Sequence, residues 1–163
     1  MRYALVLGAV ILASSCQAQS TTIVGRWVMD STRSESATQA VPVTTAEITI
    51  IETPSQFKIK TRQGPDERTV FYNRDGSDTD TKFGNASASG HMKWSGNQLV
   101  TDTTYNVRAT ALAQTATYSL SADGRELTVE YGLRVLHGYE DNHQDAVKKD
   151  PNYSGGRDVF VRQ

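Results

Sequence analysis

From Ile23 onward, apolar side chains recur at every second residue in short runs separated by turn residues, the period of a strand with one buried face. Ile23 to Asp30 sets Ile23, Gly25, Trp27 and Met29 on one face and Val24, Arg26, Val28 and Asp30 on the other, which predicts a first strand. Ser31 to Pro42 is rich in Ser, Thr and Ala without a sustained period and reads as a loop with room for one helical turn. Thr45 to Glu52 and Gln56 to Arg62 then form a hairpin across Thr53-Pro54-Ser55. In its second arm Phe57, Ile59 and Thr61 alternate with Lys58, Lys60 and Arg62.

Further turns fall at Gln63-Gly64-Pro65-Asp66, Asn73-Arg74-Asp75-Gly76, Ser95-Gly96-Asn97 and Ser121-Ala122-Asp123-Gly124-Arg125. They bound strands over Glu67 to Asn73, His91 to Trp94, Gln98 to Tyr105, Val107 to Leu120, Glu126 to Val135 and Arg157 to Arg162. The stretch after Gly76 to Asp80 reads as a hydrophilic loop, and Gly138 to Gly156 as a long polar connection. Connections this short require antiparallel neighbours. The fold class predicted is all-β: an antiparallel up-and-down meander of about eight to ten strands, closed into a barrel because closure removes the sheet edges.

Composition agrees with strands, since Thr (19) outnumbers Leu (9). At 163 residues there is room for one ordinary domain, here 19–163. Lys+Arg 17 against Asp+Glu 18 leaves no single-sign field for a nucleic-acid backbone, so nucleic acid is not expected as a partner.

Residues 1–18 differ from the rest. Arg2 is followed by the uncharged apolar run Ala4 to Ala13, the layout of an export signal. As a helix that run reaches only about 15 Å, half of a bilayer core. The expected location is therefore outside the cytoplasm: periplasmic, anchored in the cell envelope or secreted. Leu12-Ala13-Ser14-Ser15-Cys16 resembles the lipobox of bacterial lipoproteins, with Ala13 where a larger aliphatic residue is usual. Two readings stay open, lipidation at Cys16 or cleavage after Ala18, and both leave the mature domain without a disulfide. Membrane contact is expected only through such an anchor.

Gly25-Arg26-Trp27 resembles the G-x-W opening of lipocalins and related calycin barrels. With Arg33-Ser34, Met92 to Val100 and the hairpin Tyr118-Ser119-Leu120-Ser121-Ala122-Asp123-Gly124-Arg125-Glu126-Leu127, the layout resembles the small exported lipocalin-like domains of bacteria, over Gly25 to Gln163. Arg33 stands there for Lys and Tyr118 for Trp. The resemblance implies a lipocalin-like barrel with Trp27 plugging its closed end, Gly25 and Arg162 as structural companions of that Trp with Arg157 as a second candidate for the arginine, and a small apolar or amphipathic ligand inside.

Trp27, Phe57, Tyr72, Met92, Trp94, Tyr105 and Tyr118 lie on different strands and are the candidate ligand-binding residues, with Gly90, Ala109, Ala111 and Ala113 as small positions that would open space. His137, Glu140, Asp141 and His143, which include two of the three histidines, form the candidate metal cluster, without a closed zinc spacing. No nucleophile elbow or triad spacing is present, no cofactor is implied and a non-enzymatic binding domain is expected. The alternatives are an envelope interaction module with a filled barrel and a metal-dependent enzyme using 137–145. If Cys16 carries lipid, Cys16→Ser is expected to move the protein from the membrane to the soluble fraction, and a mature chain beginning at Gln19 would exclude the anchor.

Overall fold

The computed structural model describes residues 22–137 and 153–163. They form ten antiparallel strands: β1 Gly25–Met29, β2 Ala46–Glu52, β3 Gln56–Gln63, β4 Asp66–Asn73, β5 Thr79–Phe83, β6 Ala86–Ser95, β7 Gln98–Val107, β8 Thr110–Leu120, β9 Glu126–His137 and β10 Tyr153–Arg162. A single 3-10 turn, Glu35–Thr38, interrupts the connection from β1 to β2. The sheet order is β4-β3-β2-β1-β10-β9-β8-β7-β6-β5, so every pair is consecutive in the chain except β1 with β10. Trp27 lies opposite Arg162 and Val28 opposite Val161 in that pairing.

The two edges of the sheet, β4 and β5, face each other. Instead of a ladder, the Phe71 N–H donates to Thr81 Oγ1 at 3.3 Å, and Thr79 Oγ1 donates to the Phe71 carbonyl. The result is a nearly closed barrel, as the meander pattern predicts.

Beyond shifts of one or two residues at other strand ends, four differences from the sequence reading stand out. β5 falls where only a hydrophilic loop is expected, because its one fully buried residue is Thr81, with Phe83 half-buried on the same face. β6 begins at Ala86, five residues before His91, since its inner positions there are Ala88 and Gly90, too small to register as a hydrophobic run. A Cβ on Gly90 would come within 2.6 Å of the Asp102 carbonyl oxygen, so the close approach of β6 to β7 requires glycine. Val107 closes β7, and the turn runs through Arg108, whose φ is 56°. β10 starts at Tyr153, so Tyr153 to Gly156 pair with Arg134 to Tyr131 of β9 instead of belonging to the connection.

One end of the barrel is sealed. Trp27 is fully buried (0% exposed), as are Ile50, Leu99 and Leu127 of the same core, and its indole N–H donates to the Ile23 carbonyl at 2.9 Å. The Arg162 guanidinium lies over the Trp27 ring, 4.2 Å from its centre. Its nitrogens donate to the carbonyls of Gly124 (2.8 Å), Val24 (3.0 Å) and Thr22 (2.5 Å). Gly25 makes room for this group: its φ is 147°, and a Cβ there would sit 2.8 Å from an Arg162 guanidinium nitrogen.

Trp27→Ala is expected to cost about 3 to 5 kcal/mol, read as a fall in the urea midpoint, because the indole leaves a cavity and strips Arg162 of its stacking partner. An unchanged midpoint would make Trp27 peripheral.

Candidate functional site

Above the Trp27 plug the barrel is hollow, with a cavity of about 240 Å³ that opens at the opposite end. Ile48 of β2, Ile59 of β3, Val70 of β4, Ala116 of β8, Val129 of β9 and Phe160 of β10 supply an apolar lining. Polar side chains interrupt it: Arg68 and Tyr72 of β4, Thr101 and Tyr105 of β7, Gln114 and Tyr118 of β8, Tyr131 of β9 and Asp158 of β10. The period-2 rule places them, since β4 turns residues 68, 70 and 72 inward and β7 turns 99, 101, 103 and 105 inward.

Of the seven candidate ligand-binding residues, Tyr72, Tyr105 and Tyr118 line this cavity. Trp27, Phe57 and Met92 are buried in the core outside it. Trp94 has the inward phase of β6 but lies one residue from that strand's end, below the plug, and is 49% exposed. There it borders a groove with Ile23 and Leu120 and sets its ring edge-on to Phe57 at 6.1 Å, so it does not reach the cavity. The structural trio Gly25, Trp27 and Arg162 is brought together at the sealed end.

The small residues that open the interior also differ from the expectation. A register irregularity between Ala111 and Leu112 resets the phase of β8, so Gln114, Ala116 and Tyr118 point inward. Ala113 borders an outer groove with Thr115 and Thr117, and Ala109 lies exposed in a turn. His137 ends β9, while Glu140, Asp141 and His143 lie outside the described residues. Among the described residues no group of three or more His, Cys, Asp or Glu is placed to hold a metal ion.

One polar feature of the site has no counterpart in the sequence reading. The 3-10 turn is tied to β10 by two serines and a buried carboxylate. The Ser36 N–H donates to Asp158 Oδ1 (2.9 Å) and its hydroxyl to Oδ2 (2.6 Å), and Ser36 Oγ also lies 2.6 Å from the Tyr131 hydroxyl. The Val159 N–H donates to Ser34 Oγ at 3.0 Å, and the Arg157 N–H to Glu35 Oε2 at 3.1 Å. Both Asp158 oxygens are thus hydrogen-bonded, which is what lets a carboxylate sit in the barrel wall. Ser34-x-Ser36 in a Ser-rich loop carries no periodic signal, and a lone Asp in a strand reads as an outward residue.

The phenols are neutral hydrogen-bonding groups. Burial pushes the Tyr72 hydroxyl up to about 12, against a smaller opposing effect of its 2.7 Å hydrogen bond with Thr103. Burial likewise raises Tyr118 and Tyr105 above the usual tyrosine value. These three groups hold their protons in the folded protein beyond the pH at which an unfolded chain releases them. The contribution of Tyr72 is fully present below about pH 10 and declines as pH rises towards its folded value of about 12. In an alkaline titration, Tyr72, Tyr105 and Tyr118 are expected to give no tyrosinate absorbance until the barrel unfolds. Titration of all the tyrosines together near pH 10 with the fold intact would contradict their burial.

No family model matches the chain, and no curated protein matches it in sequence. Solved structures do match its fold. An abundant heat soluble (SAHS) protein of Ramazzottius varieornatus superposes with a TM-score of 0.57 at 11% identity, covering 86% of this chain and 95% of that one. Lipid binding protein 8 of Caenorhabditis elegans, in its apo form, gives 0.56 at 11% identity over 86% and 94%. The zebrafish ileal bile acid-binding protein complexed with cholic acid gives 0.53 at 11% identity over 86% and 98%. At such identities the likeness is one of architecture: the chain shares the barrel fold of these proteins.

Proposed function

We propose that this protein is an exported, non-enzymatic binding domain that takes a small amphipathic molecule into its barrel. The observation that carries the reading is the cavity of about 240 Å³, open at one end of a barrel sealed at the other by Trp27 and Arg162. Small-domain barrels of this kind fill their interiors when nothing is to be bound, whereas a hollow one lined by apolar walls with a few convergent polar groups is the usual form of a ligand site. The mixed lining, with Ile48, Ile59 and Phe160 beside Tyr72, Gln114 and Tyr118, suits a molecule with both an apolar and a polar part. Two of the matched barrels support it by their names, one for lipid and one for bile acid. Export rests on residues 1–18, with Cys16 as the proposed point of lipid attachment.

Native mass spectrometry of the protein purified from its own host is expected to show a bound small molecule. Ala116 is the residue to vary, since it is buried, small and lines the cavity. Ala116→Met is expected to fill the space, keep or raise the thermal midpoint and weaken ligand binding at least about tenfold. Unchanged binding in that variant would move the ligand out of the barrel and overturn the reading.

A further inference from the structure

Arg68 is set apart from the other cations of its side of the barrel. Arg26 and Arg62 share the Glu47 carboxylate on the outer face, and Lys60 meets Glu67 at 2.8 Å. Arg68, opposite Thr61 in the ladder, has the inward phase of β4 and lies three residues past the Gly64-Pro65 turn, at the open end of the cavity it lines. Its guanidinium rests over the Tyr105 ring, 5.2 Å from the centre. Among the described residues no carboxylate pairs with it. Asp158, the carboxylate among the described lining residues, belongs to β10, with β3, β2 and β1 between it and β4, and both its oxygens are held by Ser36.

A cation at the mouth, with Ile59, Val70 and Val129 in the lining, gives the site a direction. An anion drawn inward would have to leave Arg68 for phenols, and Tyr72 is already engaged with Thr103. Burying a charge without a counter-charge is costly, so a charged end belongs at the rim and the apolar body inside. The planar guanidinium, with one face on Tyr105, keeps its N–H edge available for a two-pronged contact with a carboxylate. The volume then limits the body. A cavity of about 150 Å³ holds benzene, so about 240 Å³ corresponds to roughly ten non-hydrogen atoms.

We propose that the cavity selects short amphipathic acids, with the carboxylate on Arg68 at the mouth and the apolar body directed towards the Trp27 plug. This rests on the barrel being a binding site, as proposed above. It assigns that site a headgroup, an orientation and a size limit.

Calorimetric titration of the protein with octanoate, 1-octanol and palmitate tests it. Octanoate is expected to bind more tightly than palmitate, whose chain exceeds the cavity when its head stays at the rim. Arg68→Gln is expected to weaken octanoate about tenfold and leave octanol within about twofold, whereas Arg68→Lys, which keeps the charge without the fork, retains part of the affinity. Since Arg68 is exposed, these variants keep the parent thermal midpoint. If octanoate and octanol bind but Arg68→Gln alters neither, the headgroup assignment is overturned while the binding reading stands. Tighter binding of palmitate overturns the orientation and size limit. If the parent protein binds neither octanoate nor octanol, the binding reading fails together with this one.

Discussion

The stacking of Arg162 on Trp27 is the contact on which the barrel depends. Among the described residues, the one pairing between strands distant in the chain is that of β1 with β10, where these two residues lie opposite one another. The guanidinium covers the indole and binds three carbonyls, those of Thr22 and Val24 before β1 and of Gly124 between β8 and β9. One side chain thereby joins the entering chain, the last strand and the hairpin before it. Its Nε, Nη1 and Nη2 each donate to a backbone carbonyl near the strand ends while its face covers the indole.

Above that end, sealed by aliphatic and indole packing, polar side chains enter the lining of the cavity. Thr101, Thr103, Tyr72 and Tyr118 occupy inward positions that in a filled barrel would carry Leu or Ile. Hydroxyl groups inside a barrel must find partners, and the Tyr72 to Thr103 pair and the Ser36, Tyr131 and Asp158 cluster do so across different strands. Cross-strand bonds of this kind hold the walls apart at fixed distances, which a purely aliphatic core would close by repacking. The cavity and its polar lining are two aspects of the same choice of residues.

How much of this is legible in the sequence differs by element. The hairpins from β2 to β4 and from β8 to β9 are plain, because Ile, Phe and Val alternate with charges and the turns carry Pro or Asp-Gly. The barrel's sealed end is legible through Gly25-x-Trp27 and Arg162. β5 and the first half of β6 are not, since their fully buried residues Thr81, Ala88 and Gly90 are small or polar and contribute no hydrophobic period. Nor is the site itself. Aromatic residues mark the interior in general, but periodicity does not report which of them line the cavity: Tyr72 does, whereas Phe57, its ladder partner, and Trp94 do not. The phase of β8 depends on an irregularity at Ala111 and Leu112 that leaves no residue signature. Arg68 is the least legible, because within Glu67-Arg68-Thr69 it reads as an exposed charge and only the ladder with Thr61 turns it inward.

The seam between β4 and β5 means that the order of the sheet and the order of the chain are out of step by a rotation. The sheet's physical edges are at β4 and β5, midway along the sequence, while β1 and β10 lie side by side at its centre. Joined near Gln163 and Thr22 and opened in the turn between Asn73 and Thr79, the same residues would run β5 through β10 and then β1 through β4. Every ladder would then connect consecutive strands, and no long-range closure would remain to be made before the hairpins could accumulate. In the natural order that closure is left to the two ends of the domain, so the step that completes the barrel must bring together the parts of the chain that are farthest apart along it.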